Sequence, residues 1–180
     1  MKGLTLVWGL SLALALVAGW IDWRSRRIPN WLTVPGFVLG LSINTAFGGW
    51  EGLKASLEGA GLALGVLFLP VLLRGMGAGD WKLMGALGAF LGPRNTVYVL
   101  LISIFIAGIM AVVQIVRKRH VKQTLINMGV LFHTFMTFGL RPGDGAITLD
   151  NPRSLRLPFG VATALAMIIL VCAQSVLKTL

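Results

Sequence analysis

The sequence predicts an all-α integral membrane protein with about six transmembrane helices. Of its 180 residues, 56% are hydrophobic and only 12% are charged, and the mean hydropathy is +0.84. A water-soluble domain of this length cannot bury that much apolar surface, so the expected solvent is a lipid bilayer. We expect a single membrane domain over residues 1–180, because no linker is long enough to separate two domains.

Six apolar runs approach the length of about 20 residues that a helix needs to cross a bilayer. The first continues well past the weak cleavage pattern Ala13-Leu14-Ala15, which argues against a removed secretory signal. The fourth is short for a span. Between the second and third, "GGWEGLKASLEG" (48–59) is predicted to be a loop with Trp50 at the membrane interface. The predicted spans are 4–21, 31–47, 57–73, 81–92, 95–116 and 158–177.

The net charge of +10 is explained by the distribution of basic residues among the loops. If the six spans alternate, loops one, three and five share one side and hold all of the 16 Lys and Arg residues except Lys2, Lys54, Arg94 and Lys178. The positive-inside rule therefore predicts these loops in the cytoplasm and both termini outside. No nucleic-acid partner is needed to explain the charge. The single Cys172 offers neither a disulfide framework nor a cysteine-based metal site.

Loop five, about residues 117–157, contains an apolar segment at about 120–140. Its basic flanks and its Leu, Phe and Met side chains predict an interfacial helix in contact with anionic lipid headgroups. A re-entrant or spanning segment is the alternative, and a span would reverse the orientation of the last helix. His133 is interpreted as an interfacial imidazole, while Asp144 and Asp150 lie in turn-like sequences and are expected to be solvated.

Two of the six acidic residues, Asp22 and Asp80, adjoin apolar spans. The predicted topology puts both at the cytoplasmic boundary, whereas Glu51 and Glu58 belong to an outer loop. Ionisable groups near hydrocarbon are costly unless they pair, meet water or perform a function, so we predict a shared aqueous pocket. Two adjacent carboxyl groups tend to hold one proton between them. One can then activate water while the other protonates a carbonyl, which hydrolyses a peptide bond without metal or serine.

Glycines precede Asp80 in the stretch "RGMGAGDWK" (74–82). Gly75, Gly77 and Gly79 are predicted to adopt backbone conformations closed to other residues and to let a substrate strand approach closely. Phosphate binding fits poorly, because Lys82 replaces the third glycine of G-x-G-x-x-G and no G-K-[ST] run or preceding strand is present.

Three segments resemble motifs of one family, the type IV prepilin peptidases, which are GxGD intramembrane aspartyl proteases. "GAGDWK" (77–82) resembles the G-x-G-D-x-K motif. Asp22 with "RIPNWLT" (27–33) is similar to the first catalytic aspartate and its I-P-N-x-L-T segment, and "LPFG" (157–160) is similar to the segment that opens the last helix. The resemblance covers about residues 1–116 and the final span, while 117–141 matches no motif.

The resemblance implies an aspartic endopeptidase that cleaves prepilins, the precursors of type IV pilin subunits. Cleavage falls between a basic, Gly-terminated leader and an apolar segment, at the cytoplasmic face of the bacterial inner membrane. No cofactor or metal is implied. Asp22 and Asp80 carry over as the catalytic pair, and the supporting or substrate-binding residues are Gly77, Gly79, Lys82, Pro29 and Asn30.

The sequence departs from the bifunctional members, which carry an N-terminal cytoplasmic domain with paired cysteines. This chain starts at a span and has one cysteine, so it resembles the short Flp/Tad-type enzymes, and methyltransferase activity is not expected. Archaeal preflagellin peptidases rank second, and the P-A-L tripeptide of presenilin-like proteases is absent. Two other functions stay open: a small transporter or proton relay that uses the same aspartates, and a non-catalytic assembly factor. The oligomeric state is also open.

Overall fold

A computed structural model describes residues 2–72, 76–117 and 158–179, and in these ranges it consists of four α-helices. They are α1 (Lys2–Ser25), α2 (Asn30–Leu72), α3 (Ala78–Arg117) and α4 (Phe159–Thr179). The all-α prediction is therefore confirmed. The predicted interfacial helix of loop five, His133 and Gly75 lie outside the described residues.

α2 and α3 are each broken at one glycine. Gly49 (φ 57, ψ −139) and Gly92 (φ 71, ψ 175) take positive φ values that favour glycine. The segments on either side, 30–48, 50–72, 78–91 and 93–117, coincide in position with the second to fifth predicted spans. α1, α2 and α3 are long and apolar enough to cross a membrane, which supports the membrane prediction. The count of six spans and their orientation stay predictions.

Gly49 turns α2 into a helical hairpin. Asn44 Nδ2 donates to Ser56 Oγ at 2.9 Å, although these residues would lie about 18 Å apart in a straight helix. The predicted loop at 48–59 is therefore corrected: the helix continues on both sides and the reversal takes a single glycine. Trp50 is exposed at this bend.

Segment 78–91 of α3, here called the central helix, lies in the middle of the fold. Every residue from Leu83 to Gly92 is buried. Its small residues permit close packing: Gly88 lies against the backbone of Gly59, and a Cβ added at Gly40 would lie 2.9 Å from the backbone nitrogen of Phe90. A helix that is apolar all round suits an environment of protein on every side.

The C-terminal end of the central helix is held by side chains of the α2 hairpin. Asn44 Nδ2 donates to the carbonyl oxygens of Ala89 and Phe90, each at 2.9 Å, and Ser56 Oγ donates to that of Ala89 at 2.7 Å. We call the two donors, Asn44 and Ser56, the polar cap. They satisfy carbonyls at a helix end, where intrahelical partners run out.

α1 and α4 pack antiparallel and in close contact. A Cβ added at Gly19 would lie 2.8 Å from the Ala164 Cβ, and the Gly160 N–H reaches the Asp22 side chain. Residues that come later in α1 (Asp22 after Gly19) thus contact residues that come earlier in α4 (Gly160 before Ala164). This packing places the N-terminus of α4 beside the C-terminal end of α1.

Candidate active site

Asp22 lies in the last turn of α1 and is only 4% exposed. Its Oδ2 accepts a hydrogen bond of 2.8 Å from the backbone N–H of Gly160. That N–H is one of the groups at the start of α4 that lack a partner within their own helix, and it presents a partial positive charge. The N-terminus of α4 therefore stabilises and orients the Asp22 carboxylate.

The chain reverses direction one helical turn after Asp22, where α1 ends. The Arg26 N–H donates to the Asp22 carbonyl oxygen at 2.8 Å, and Arg26 has a φ of 52. This is a left-handed helix cap, made here by a residue other than glycine. The cap ends α1 and directs the chain across the fold to Ile28.

Asp80 is the third residue of α3. Its carboxylate turns back toward Gly77, so that Oδ2 lies near the free N–H groups at the helix start. Its second oxygen, Oδ1, is buried and has no hydrogen-bond partner within the described part of the chain. One oxygen of Asp80 is therefore available to a water molecule or a substrate.

The two aspartates come from separate helices and lie near enough for the charge of Asp22 to act on Asp80. The other acidic residues that the structure describes are exposed on α2, where Glu51 pairs with Lys54 at 2.9 Å and Glu58 faces outward. Across residues 2–72, 76–117 and 158–179, no group of three potential metal ligands occurs. Asp22 and Asp80 are thus the two acidic residues in this part of the chain that lie away from the exposed surface of α2, at the ends of α1 and α3.

Ile28 lies where the three sequence motifs meet. It is buried, and a Cβ added at Gly79 would lie 3.0 Å from its carbonyl oxygen. A Cβ added at Gly160 would lie 3.1 Å from its Cδ1 and 2.9 Å from the Asp22 Cβ. Both glycines are therefore needed for close approach, and together they bring the ends of α1, α3 and α4 into contact.

This corrects the predicted backbone conformation of Gly77 and Gly79, while the close approach of a substrate strand stays a prediction. Among the described residues, the glycines with positive φ are Gly49 and Gly92, so Gly77 and Gly79 do not adopt a conformation closed to other residues. Gly79 is already helical, and what it needs is the absence of a side chain against Ile28. Gly77 leaves room for Asp80, because an added Cβ would lie 3.0 Å from Oδ2.

The predicted supporting residues connect the starts of α2 and α3. Lys82 Nζ donates to Asn30 Oδ1 at 3.0 Å. The Pro29 carbonyl oxygen accepts from the N–H groups of Leu32 and Thr33 at 3.2 and 3.4 Å, and so opens α2. The ion pair found among the described residues is Lys54–Glu51, so Lys82 is not paired with Asp80 there. Lys82 joins two motifs through Asn30.

The structure adds two residues to which the sequence assigned no role. Gly160 is the direct partner of Asp22, and its only signal in the sequence is its place in the "LPFG" segment. Thr33 is 1% exposed, and its Oγ1 finds no hydrogen-bond partner in the described ranges. Its only signal is the last letter of "IPNWLT".

Comparison with known proteins agrees with this arrangement. The model of the type IV leader peptidase family matches residues 9–112, a range that includes both aspartates and the central helix. The chain belongs to this family. The resemblance inferred from the motifs is thereby confirmed.

Several relatives carry the name prepilin leader peptidase/N-methyltransferase. The protein of Escherichia coli K12 is 32% identical over 129 residues, which cover 62% of this chain and 57% of that protein. That of Neisseria gonorrhoeae is 34% identical over 121 residues, covering 62% and 42%, and that of Aeromonas salmonicida 34% over 138, covering 70% and 47%. The chain therefore spans about half the length of the curated relatives it matches. No solved structure matches it.

Proposed function

We propose that this chain is a prepilin leader peptidase, an aspartic endopeptidase. It hydrolyses the peptide bond between the basic, Gly-terminated leader and the apolar segment of a prepilin. The observation that carries the proposal is the convergence of Asp22 and Asp80 from separate helices: Asp22 is buried, Asp80 is partly buried, and Asp80 Oδ1 has no partner among the described residues. Membership of the type IV leader peptidase family and the names of the relatives support this substrate class.

The reaction needs one ionised and one protonated carboxyl group. The ionised carboxyl takes a proton from water as the water oxygen attacks the scissile carbonyl carbon, while the other carboxyl protonates the carbonyl oxygen. When the resulting diol collapses, the C–N bond breaks and the amine leaves with the proton first taken from water. The second carboxyl recovers its proton from a diol hydroxyl. One water is consumed and both groups return to their starting states.

The surroundings of the two carboxyl groups divide their tasks. Asp22 Oδ2 is held by the Gly160 N–H, so this carboxylate has a fixed direction. Asp80 Oδ1 has no such bond to the described residues and is the oxygen offered to water or to the scissile carbonyl. An oriented oxygen on one carboxyl group and an oxygen without a described partner on the other suit a reaction in which water must be positioned between two groups.

For the substrate and the location, we propose the same details that the sequence predicts. The prepilin is of the Flp/Tad-like class, the membrane is the bacterial inner membrane, and the site faces the cytoplasm. Exposed Arg24, Arg26 and Arg27 next to exposed Trp20 and Trp23 support contact with anionic headgroups at that end of α1.

Substitution of each aspartate by its amide tests the proposal. Purified wild type, Asp22→Asn and Asp80→Asn are reconstituted in lipid vesicles with a purified prepilin, and processing is followed by product size and by the mass of the new N-terminus. Each substitution should slow cleavage by at least about 100-fold, because an amide cannot exchange the required proton. Cleavage at the normal rate by either variant would exclude the aspartyl mechanism.

Glu58→Gln is the matched control. It makes the same change of a carboxylate into an amide, but on the exposed face of α2 away from the site. Its processing rate should equal that of the wild type. An equal loss in Glu58→Gln would mean that net charge, rather than the aspartate pair, limits the assay.

The competing functions make different predictions for the same variants. A transporter or proton relay would show ion flux in vesicles that Asp22→Asn abolishes, and an assembly factor would keep its function without either aspartate. Transporters typically hold such groups near the membrane midplane. Asp22 lies in the last turn of α1 and Asp80 in the first turn of α3, so the helix-end placement favours the peptidase.

A further inference from the structure

An apolar groove of about 280 Å³ runs along the surface between α1 and α4. α1 lines it at the helical spacing i, i+3, i+4, i+7 from Leu16 to Trp23, and α4 does the same from Val161 to Ile168. Each helix therefore presents one face over about two turns, a length of about 10 Å.

The groove has a floor of small residues between walls of large ones. Gly19 and Ala164 face each other at the bottom, where a Cβ added at Gly19 would lie 2.8 Å from the Ala164 Cβ. Exposed Trp20 rises on one side, and exposed Leu165 and Ile168 rise on the other. Within a bilayer, helices gain little from leaving lipid and associate through shape complementarity at small residues. A floor of this kind suits a third helix with bulky side chains.

One end of the groove lies beside Asp22 of the proposed catalytic pair. Gly19 is one helical turn before Asp22, and Val161 directly follows Gly160, whose N–H bonds to the Asp22 carboxylate. From there the groove runs away from the site along α4. A helix that begins at the scissile bond and lies parallel to α4 would therefore enter the groove at its first turn.

From this continuity we infer that the groove binds the apolar helix of the prepilin during cleavage. The inference rests on the proposed function, in which the scissile bond directly precedes an apolar segment. The apolar segment therefore begins within one or two residues of the carboxyl pair. The groove is an apolar surface that starts beside Asp22 and can receive it. Lipid acyl chains, residues 118–157 of the same chain and a second copy are the other occupants, and the experiments separate them.

The first experiment fills the groove. Ile168→Trp places a larger side chain in its wall, and Ile169→Trp makes the same change on the adjacent residue of α4, which does not line it. At low prepilin density in vesicles, Ile168→Trp should lower the processing rate about tenfold, as overpacking of a contact surface does, with Ile169→Trp unchanged. At saturating prepilin density the rates should converge, because chemistry at Asp22 and Asp80 is intact.

The possible results of this experiment separate the two proposals. If the wild type cleaves prepilin and the two tryptophan variants behave alike, the groove inference is overturned and the peptidase stands. If the wild type cleaves no prepilin, the proposed function itself fails.

A second experiment identifies the occupant directly. A photoreactive phenylalanine analogue replaces Ile168 or Ile169 in an Asp80→Asn background, which holds uncleaved prepilin in place. We expect a prepilin adduct from position 168 and little from position 169, with attachment inside the apolar segment. An adduct at 168 that joins only lipid, residues 118–157 of the same chain or another copy, while prepilin is present, would overturn the inference.

Discussion

The two ends of the central helix differ in whether the buried polar atoms there have hydrogen-bond partners. At the C-terminal end, the polar cap satisfies the carbonyls of Ala89 and Phe90 with bonds of 2.7 to 2.9 Å. At the N-terminal end, Asp80 Oδ1 and Thr33 Oγ1 are two of the three buried side-chain atoms that find no partner among the described residues, the third being Ser103 Oγ in 93–117. A buried unpaired polar group costs about 1–3 kcal/mol.

This difference indicates that one end of the central helix serves stability and the other end serves the reaction. The polar cap holds the α2 hairpin against the central helix and leaves nothing free to react. The aspartate end accepts the cost of an unpaired oxygen, which is the pattern expected where a water or a substrate completes the site. Substitutions at the cap should therefore lower the free energy of unfolding and leave the processing rate unchanged. Substitutions of the aspartates should lower the processing rate without lowering the free energy of unfolding.

After the aspartates themselves, Gly160→Ala should have the largest effect. Its Cβ would lie 2.9 Å from the Asp22 Cβ, which is close to the backbone and cannot swing away, so α4 must shift from α1. We expect processing to slow about tenfold and the free energy of unfolding to fall by about 1–3 kcal/mol. Vesicle processing and thermal unfolding in detergent measure the two quantities.

Gly61→Ala is the control for this change. It lies in the same membrane domain, in α2, and an added Cβ there meets nothing within 4 Å. It should leave the processing rate unchanged. A normal rate in Gly160→Ala would show that the contact between the α4 N-terminus and Asp22 is dispensable.

The sequence predicted what depends on local pattern. Apolar run length located the helices, because the hydrocarbon thickness sets the length of a span. Asp22 and Asp80 stood out as the acidic residues that adjoin apolar runs. The convergence of "IPNWLT", "GAGDWK" and "LPFG" around Ile28 needed the structure.

What the sequence missed depends on tertiary packing. The bond from Gly160 to Asp22 joins residues 138 apart, and its existence follows from how α1 and α4 cross. The unusual backbone conformation predicted for Gly77 and Gly79 was wrong: among the described residues, the glycines with positive φ are Gly49 and Gly92, which belong to no motif. Glycine in a sequence marks either a special conformation or a close approach, and packing decides between them.

At the polar cap, Asn44→Ala should lower stability without changing the chemistry. It removes the donor that serves Ala89 and Phe90 and also the bond to Ser56, so we expect a loss of about 2 kcal/mol in the free energy of unfolding. Thr45→Ala, which removes only a bond to Leu41 in its own helix, should cost less. If the folded Asn44→Ala protein processed prepilin as slowly as Asp80→Asn does, the proposed division between the two ends of the central helix would be wrong.

Lys82→Met tests the smallest expected effect and the boundary of the catalytic end. The bond from Lys82 to Asn30 is exposed, so its loss should change stability by at most about 1 kcal/mol and slow processing by about threefold. Asn30→Ala should reproduce this effect, and the double variant should be no slower, because both substitutions remove one shared contact. If Lys82→Met slowed processing nearly as much as Asp80→Asn does while Asn30→Ala did not, the lysine would instead contact the substrate. A lysine that acts only through Asn30 should lose its effect equally when Asn30 is removed.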